Sequence, residues 1–298
     1  MTSSSESRVP AEGGSPETVG ILGGGLMGSG IAEVCARHGL DVVLVEQDTA
    51  GVDRARAAVS RSLDRAVRGG ALDRPGAERL LGAIRFSDRL ESLANRTLVV
   101  EAVAENEALK IDVFARLDAV VEDPDALLVS NTSAIPIIKL AMATSRQQNV
   151  VGVHFFNPVP VMALVEIVPT LVSGPEAERR AVAFAADLLG KTTIRSPDRA
   201  GFVVNALLVP YLLSAVRMLE SGFASAADID TGMVLGCGHP MGPLRLIDLI
   251  GLDTTAAVAE SMYAEFKEPL YAPSPMLAQM VAAGRLGRKS GRGFFTYA

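Results

Sequence analysis

The sequence predicts an α/β fold: a mostly parallel sheet covered by helices, followed by an all-helical C-terminal domain. Three observations carry this. Val19, Ile21 and Leu22 form an apolar run that breaks at Gly23, Gly24 and Gly25, and helical spacing follows at Ile31, Val34 and Cys35. Short β-branched runs then alternate with helical stretches as far as Ile194. Such alternation implies parallel strands with helical crossovers on both faces. From Gly201 onward the helical patterns continue without strands.

Residues 1–16, MTSSSESRVPAEGGSP, are small and polar and read as a disordered tail, not a signal peptide. Residues 17–199 are the sheet domain. After its first strand, glycine turn and helix, Val42 to Val45 make a second buried strand that ends at Glu46. Ala50 to Arg68 is a helix with Val52, Ala55, Val59, Leu63 and Val67 along one stripe. Its other face carries Arg54, Arg61, Arg65 and Arg68, either a solvated surface or a positive wall for a phosphate-bearing substrate.

Thr97 to Val103 is the next strand, leading into Glu105, Asn106 and a helix that reaches Val121. Leu127 to Val129 is followed by Ser130, Asn131, Thr132 and Ser133, and Pro136 suits the first turn of a helix. Val150, Val151 and Val153 form a strand ending at His154, and Ala163 to Val168 forms another. A helix over Pro175 to Leu189 and a short β-like run at Thr192 to Ile194 complete the domain. The boundary falls near Pro197–Gly201. In residues 200–298, Gly201 to Glu220 is apolar almost all round and should be buried, with Pro210 as a kink. Helices follow over Ala226–Leu235, Leu244–Phe266 and Met276–Ala283.

Composition narrows the function. The 298 residues, 49% hydrophobic and 21% charged, suffice for two cores. A net charge of −6 argues against a nucleic-acid binder. No run is long and apolar enough to span a membrane. Cys35 and Cys237 lie far apart without metal-ligand spacing, so they read as buried thiols in a reducing cytoplasm, and no metal site is expected.

Gly23, Gly25 and Gly28 have GxGxxG spacing between a strand and a helix. The first allows a tight turn, the second lets backbone approach a pyrophosphate, and the third lets helix and strand pack closely. The helix N-terminus favours negative charge. Glu46, at the end of the next strand, can accept both ribose hydroxyls and would repel a 2′-phosphate. No Gly-Lys-Ser/Thr follows the glycines, which disfavours a nucleotide-triphosphate loop. The cofactor predicted is NAD in a Rossmann-like domain.

In such sheets the chemistry sits at the carboxyl ends of the strands. Glu105–Asn106, Ser130–Ser133 and His154–Pro158 all fall there. His154 is either a satisfied core residue or an acid/base. Glu166, inside the apolar LVEIV, is costly to bury without a partner. Paired with His154 it would fix one imidazole tautomer. Asn205, in an apolar helix, and Ser133, which could be only a helix cap, are candidates to hold a substrate oxygen.

The motifs GGGLMGSGIA, SNTSAIPI, HFFNPVPVM with LVEIV, GFVVNALLVPYL and DIDTGMVLGCGHPMGPLRLIDLIGLDT occur in this order. In them the chain resembles the bacterial-type L-3-hydroxyacyl-CoA dehydrogenases, particularly the 3-hydroxybutyryl-CoA dehydrogenases, over nearly everything after the tail. The resemblance implies a cytoplasmic enzyme of fatty acid metabolism that dimerises through its helical domain. The implied reaction interconverts a short-chain (3S)-3-hydroxyacyl thioester and its 3-ketoacyl thioester with NAD.

It implies a catalytic pair at His154 and Glu166 and substrate-oxygen contacts at Ser133 and Asn205. Cofactor contacts fall on Gly23, Gly25, Leu26, Met27, Gly28, Glu46, Glu105, Lys110, Ser133, Asn157 and Lys289. The acyl-carrying arm is met at Ser62, with Arg68 beside it. The chain departs from the family at Ala200 (usually Pro), Ala206 (usually Arg), Ala163 (usually Lys) and Gly69 (near a usual Lys). These departures weigh against free CoA as the carrier and raise a second reading, the same chemistry on a substrate bound to an acyl carrier protein. A third reading, an NAD-binding protein without turnover, predicts a damaged catalytic set, whereas His154, Glu166, Ser133 and Asn205 are all present.

Overall fold

The computed structural model describes residues 17–297, so the predicted disordered tail lies outside the described residues. Strand β1 (Thr18–Leu22) enters the glycine turn and helix α1 (Leu26–Arg37), and β2 (Asp41–Val45) returns parallel to it. Then come α2 (Thr49–Arg68), α3 (Arg74–Ala83), β3 (Ile84–Ser87), β4 (Leu98–Glu101), α4 (Glu107–Val120), β5 (Leu127–Ser130) and α5 (Ile137–Ala141). Strands β6 (Val150–Phe155) and β7 (Leu164–Pro169), helix α6 (Pro175–Ala183) and strand β8 (Thr192–Arg195) finish an eight-stranded sheet of order β3-β2-β1-β4-β5-β6-β7-β8.

Period-two alternation places Val42 and Leu44 of β2 in one core and Val43 and Val45 in the other, so each face of the sheet is covered. That is why the strands read as unbroken apolar runs. Caps set the helix starts. Asp48 and Asp73 accept the Gly51 and Gly76 amides at 2.6 and 2.8 Å, and Asn106 accepts the Leu109 amide at 2.9 Å.

The helical part comprises α7 (Val204–Glu220), α8 (Ala226–Cys237), α9 (Pro243–Ile250), α10 (Leu252–Phe266) and α11 (Pro275–Ala282), around a core that includes Leu213, Leu244, Ile247, Met262 and Leu277. Asp248, 1% exposed, accepts the Phe294 and Phe295 amides and the Tyr297 hydroxyl, each at 2.9 Å, and so clasps the end of the chain.

The structure departs from the sequence reading at several points. Helix α3 and edge strand β3 occupy a stretch whose residues carry no strong periodicity; in IRFS only Ile84 is buried. Pro136 precedes α5 as its cap and is not in its first turn. Helix α7 begins at Val204, because Gly201 and Phe202 are left-handed at φ +84° and +48°. It is not buried all round: Leu207 is 76% exposed, and Ser214 and Met218 follow it on the same open face. The single helix expected over 244–266 divides at Gly251, whose φ is +108°.

The largest difference concerns strand direction. β7 runs antiparallel to β6, and β8 follows β7. The connection over 156–163 is too short for a parallel crossover, which needs a dozen or more residues. That signal was present in the sequence.

Cys35 is buried as expected, but Cys237 is exposed at the end of α8. Burial pushes the Cys35 thiol up to about 12, so almost no thiolate forms at neutral pH. A thiol-specific reagent at pH 8 should therefore modify the folded chain at Cys237 alone, and Cys35 only after denaturation. Peptide mapping by mass spectrometry reads this directly.

Candidate active site

The glycine turn is held by contacts that exclude a side chain. A Cβ on Gly28 would lie 1.8 Å from the Gly23 carbonyl oxygen, and one on Gly24 would lie 2.3 Å from Ala55 Cβ. Gly23, at φ +99°, packs against the Ala102 carbonyl. Gly25 differs: nothing lies within 4 Å of where its Cβ would be. Its open side faces a cavity of about 750 Å³ that Gly23, Leu26, Met27, Glu46, Ala102 and Val103 help to line. Helix α1 has no side-chain cap, so its first amides remain available to a ligand. The Gly24 amide donates to Glu46 Oε1 at 2.6 Å, which fixes the carboxylate at the cavity rim with Oε2 toward the Gln47 amide at 3.2 Å. An open glycine, uncapped helix amides and a fixed rim carboxylate are the features that the pyrophosphate and ribose of a dinucleotide would need.

Beyond the turn, the carboxyl ends of β4, β5 and β6 meet in one hydrogen-bonded cluster. Glu101, fully buried, accepts the Ser130 hydroxyl at 2.6 Å, the Val103 amide at 2.7 Å and the Lys110 ammonium at 2.5 Å. Lys110 also lies 3.3 Å from Glu105 Oε2. At 1% exposure its ammonium sits behind the cavity surface, where it steadies both carboxylates. Glu105 Oε1 accepts the Thr132 hydroxyl at 2.5 Å and the Ser133 amide at 3.0 Å. Asn131 accepts the Phe155 amide at 2.9 Å and ties β5 to β6.

His154 and Glu166 are direct cross-strand partners in the β6–β7 ladder. His154 Nδ1 is 2.7 Å from Glu166 Oε2, and Nε2 is 3.0 Å from the Ser133 hydroxyl. Their exposures are 4% and 0%, so the pair is dry and its polar atoms must find partners within the protein. Glu166 Oε1 accepts the Val203 and Val204 amides at 3.0 and 2.9 Å. With donors on Oε1 and a carboxylate that can only accept on Oε2, the proton of a neutral imidazole sits on Nδ1 and the Nε2 lone pair faces Ser133. Asn205, half-buried in the first turn of α7, follows directly after those two amides.

Lys191 braces the connection after His154 by donating to the Val159 and Met162 carbonyls at 2.7 and 2.8 Å. With no carboxylate among these partners, burial pushes its ammonium below the usual lysine range. The brace was not foreseen from sequence, because nothing in KTTIR marks Lys191 as more than a surface charge.

Of the expected residues, Asn157, Lys289, Ser62 and Arg68 are not among those that line the cavity. Asn157 is exposed just past the end of β6. Lys289 is in the helical part, ion-paired with Asp253 at 2.6 Å, and is not among the residues lining the cavity. Ser62 and Arg68 lie in the C-terminal half of α2, remote in sequence from the Glu46 end, and do not line the cavity either.

Comparison with known proteins agrees with this architecture. The model of the 3-hydroxyacyl-CoA dehydrogenase NAD-binding domain matches residues 18–199, and that of the 3-hydroxyacyl-CoA dehydrogenase C-terminal domain matches residues 201–297. The 3-hydroxybutyryl-CoA dehydrogenase of Mycobacterium tuberculosis is 55% identical over 94% of this chain and 98% of its own length. The crystal structure of M. tuberculosis FadB2 superposes with a TM-score of 0.94 at 55% identity, covering 96% of this chain and 100% of that one. The (S)-3-hydroxybutyryl-CoA dehydrogenase PaaH1 of Ralstonia eutropha gives a TM-score of 0.88 at 44% identity, covering 95% and 100%. With both family models matched and identity this high, the chain belongs to the 3-hydroxyacyl-CoA dehydrogenase family.

Proposed function

We propose that this chain is an NAD-dependent dehydrogenase that interconverts a short-chain (3S)-3-hydroxyacyl thioester, CoA-linked, and the corresponding 3-ketoacyl thioester. The observation that carries the proposal is the Ser133–His154–Glu166 chain, at 3.0 and 2.7 Å, beside a glycine-lined dinucleotide cavity. NAD, when bound, would take up the hydride that leaves C3 of the hydroxyacyl substrate, and NADH would return it to C3 of the ketone. The protein supplies the proton path. In oxidation, His154 takes the hydroxyl proton at Nε2, and in reduction it returns a proton to the ketone oxygen from the same atom. Glu166, on Nδ1, holds the tautomer and stabilises the imidazolium. The Ser133 hydroxyl, already within reach of Nε2, and the Asn205 amide orient the substrate oxygen.

The CoA reading rests on the names of the relatives, 3-hydroxybutyryl-CoA dehydrogenase and, at 41% identity, the hydroxyacyl-coenzyme A dehydrogenase of Sus scrofa. We assign the chain to the cytoplasm, on its two unpaired thiols and on the absence, among the described residues, of a helix long and apolar enough to cross a membrane. We also assign it a homodimer through the helical part. Met218, 42% exposed, lines a groove of about 330 Å³ between α7 and α8, and Phe223 and Leu235 of the same helical part are each 80% exposed, apolar side chains of the kind that a partner surface would cover.

Three measurements test this. Turnover of acetoacetyl-CoA with NADH should exceed turnover of the same acyl group on an acyl carrier protein, and His154→Gln should lower it by about two to four orders of magnitude with NADH affinity nearly unchanged. Near-normal turnover in that variant would refute the assignment. Glu46→Ala should weaken NADH binding roughly 10- to 100-fold, the usual range for a charged hydrogen bond, and native protein should prefer NADH to NADPH in titration. Light scattering should return twice the chain mass; a monomer at micromolar concentration would remove the dimer.

A further inference from the structure

Phe202 stands between the two halves of the molecule in a conformation that its side chain disfavours. Its φ is +48°, and among the described residues the only other non-glycine residue with positive φ is Lys267, which caps the C-terminus of α10. A bulky residue in the left-handed region is a true outlier, and such outliers persist where the surroundings over-determine them. Here two sets of contacts do so.

The first is the ring, which is 5% exposed and packs with the sheet-domain core, not with the helices that follow. Its centroid lies 5.5 Å from that of His154, at an interplanar angle of 60°. Phe156 meets the same imidazole at 4.7 Å and 61°. Hydrogen bonds to Glu166 and Ser133 act in the imidazole plane and leave tilt about the Nδ1–Nε2 direction unrestrained. Two edge-on aromatic contacts supply that restraint.

The second set is the backbone. Phe202 N donates to the Arg199 carbonyl at 3.0 Å, closing a turn, and the next two amides, of Val203 and Val204, point at Glu166 Oε1. A right-handed residue at 202 would continue the helix backward and turn those amides away.

We propose that Phe202 is a positioning residue for proton transfer: its left-handed turn aims two amides at Glu166, and its ring sets the tilt of His154. The inference rests on the proton-transfer role assigned to His154 above. Phe202 touches neither reacting atom; it acts through the pair it holds.

The test uses the full-length chain with NADH and a short-chain 3-ketoacyl-CoA. Phe202→Ala and Phe202→Gly should each lower kcat by about 10- to 100-fold, the scale of a misplaced catalytic group, with KM and NADH affinity held within about threefold. Phe202→Gly should melt above Phe202→Ala, because only glycine adopts the turn without strain. If the alanine variant fails to fold, Phe202→Leu, which keeps apolar bulk but no aromatic edge, carries the same kcat expectation. Unchanged kcat in these variants, or KM and NADH affinity worsening in step with kcat, would overturn the proposal. A higher melting temperature for alanine than for glycine would overturn the part assigned to the turn. His154→Gln separates the two levels. Full turnover there defeats the underlying reading, whereas its loss alongside normal Phe202 variants defeats this inference alone.

Discussion

A fully buried carboxylate, Glu166, is the point on which the architecture turns. Placing its charge in an apolar strand would be prohibitive without compensation. The compensation comes from two directions: His154 across the ladder, and the amides of Val203 and Val204 from the start of α7. Each requires a different long-range feature. The histidine contact needs β7 to run against β6, and the amides need the helical part seated on the sheet. Further polar contacts secure that seating. Asp198, its carboxyl raised by burial, accepts the Ile137 and Ile138 amides of α5 at 2.7 and 2.8 Å, and Ser261 of α10 donates to the Ala134 carbonyl at 3.0 Å.

The cofactor side follows the opposite logic, since its backbone groups are left open. Gly25 faces free space and α1 begins uncapped, so donors that elsewhere would be satisfied internally await a ligand. Between the two regions, the Glu101–Lys110–Glu105 cluster lies beneath the strand ends and carries Ser133 on its outer edge through the Glu105 carboxylate. The rim of the cavity and the imidazole are thereby joined by a continuous set of short polar contacts, and a rigid site is the usual benefit of a fully satisfied network.

Much of this was legible in the residues. The strand–glycine–helix pattern and Glu46 were local, and local patterns survive translation into structure. The proximity of His154 and Glu166 could be suspected because an acid inside LVEIV needs a partner, but their facing register depends on strand direction, which the short 156–163 connection encodes only indirectly. Lys191 and the left-handed turn at Phe202 were not legible. A lysine before TTIR looks like any surface charge, and no composition rule forecasts positive φ at a phenylalanine. The exposed Cys237 and the open face of α7 were missed for a related reason: apolar sequence does not say whether its cover comes from the same chain.

The direction of β7 has a consequence for how this site can vary. Because side chains alternate along a strand, a slip of one position in the β6–β7 pairing would send Glu166 to the opposite face of the sheet from His154. Residues 156–163 therefore act as a ruler as well as a loop. Substitutions there, other than at Phe156, leave the register of the ladder intact, but a change in length that propagated into the ladder would separate His154 from Glu166. Diversity along this segment should be sought in residue identity and not in loop length.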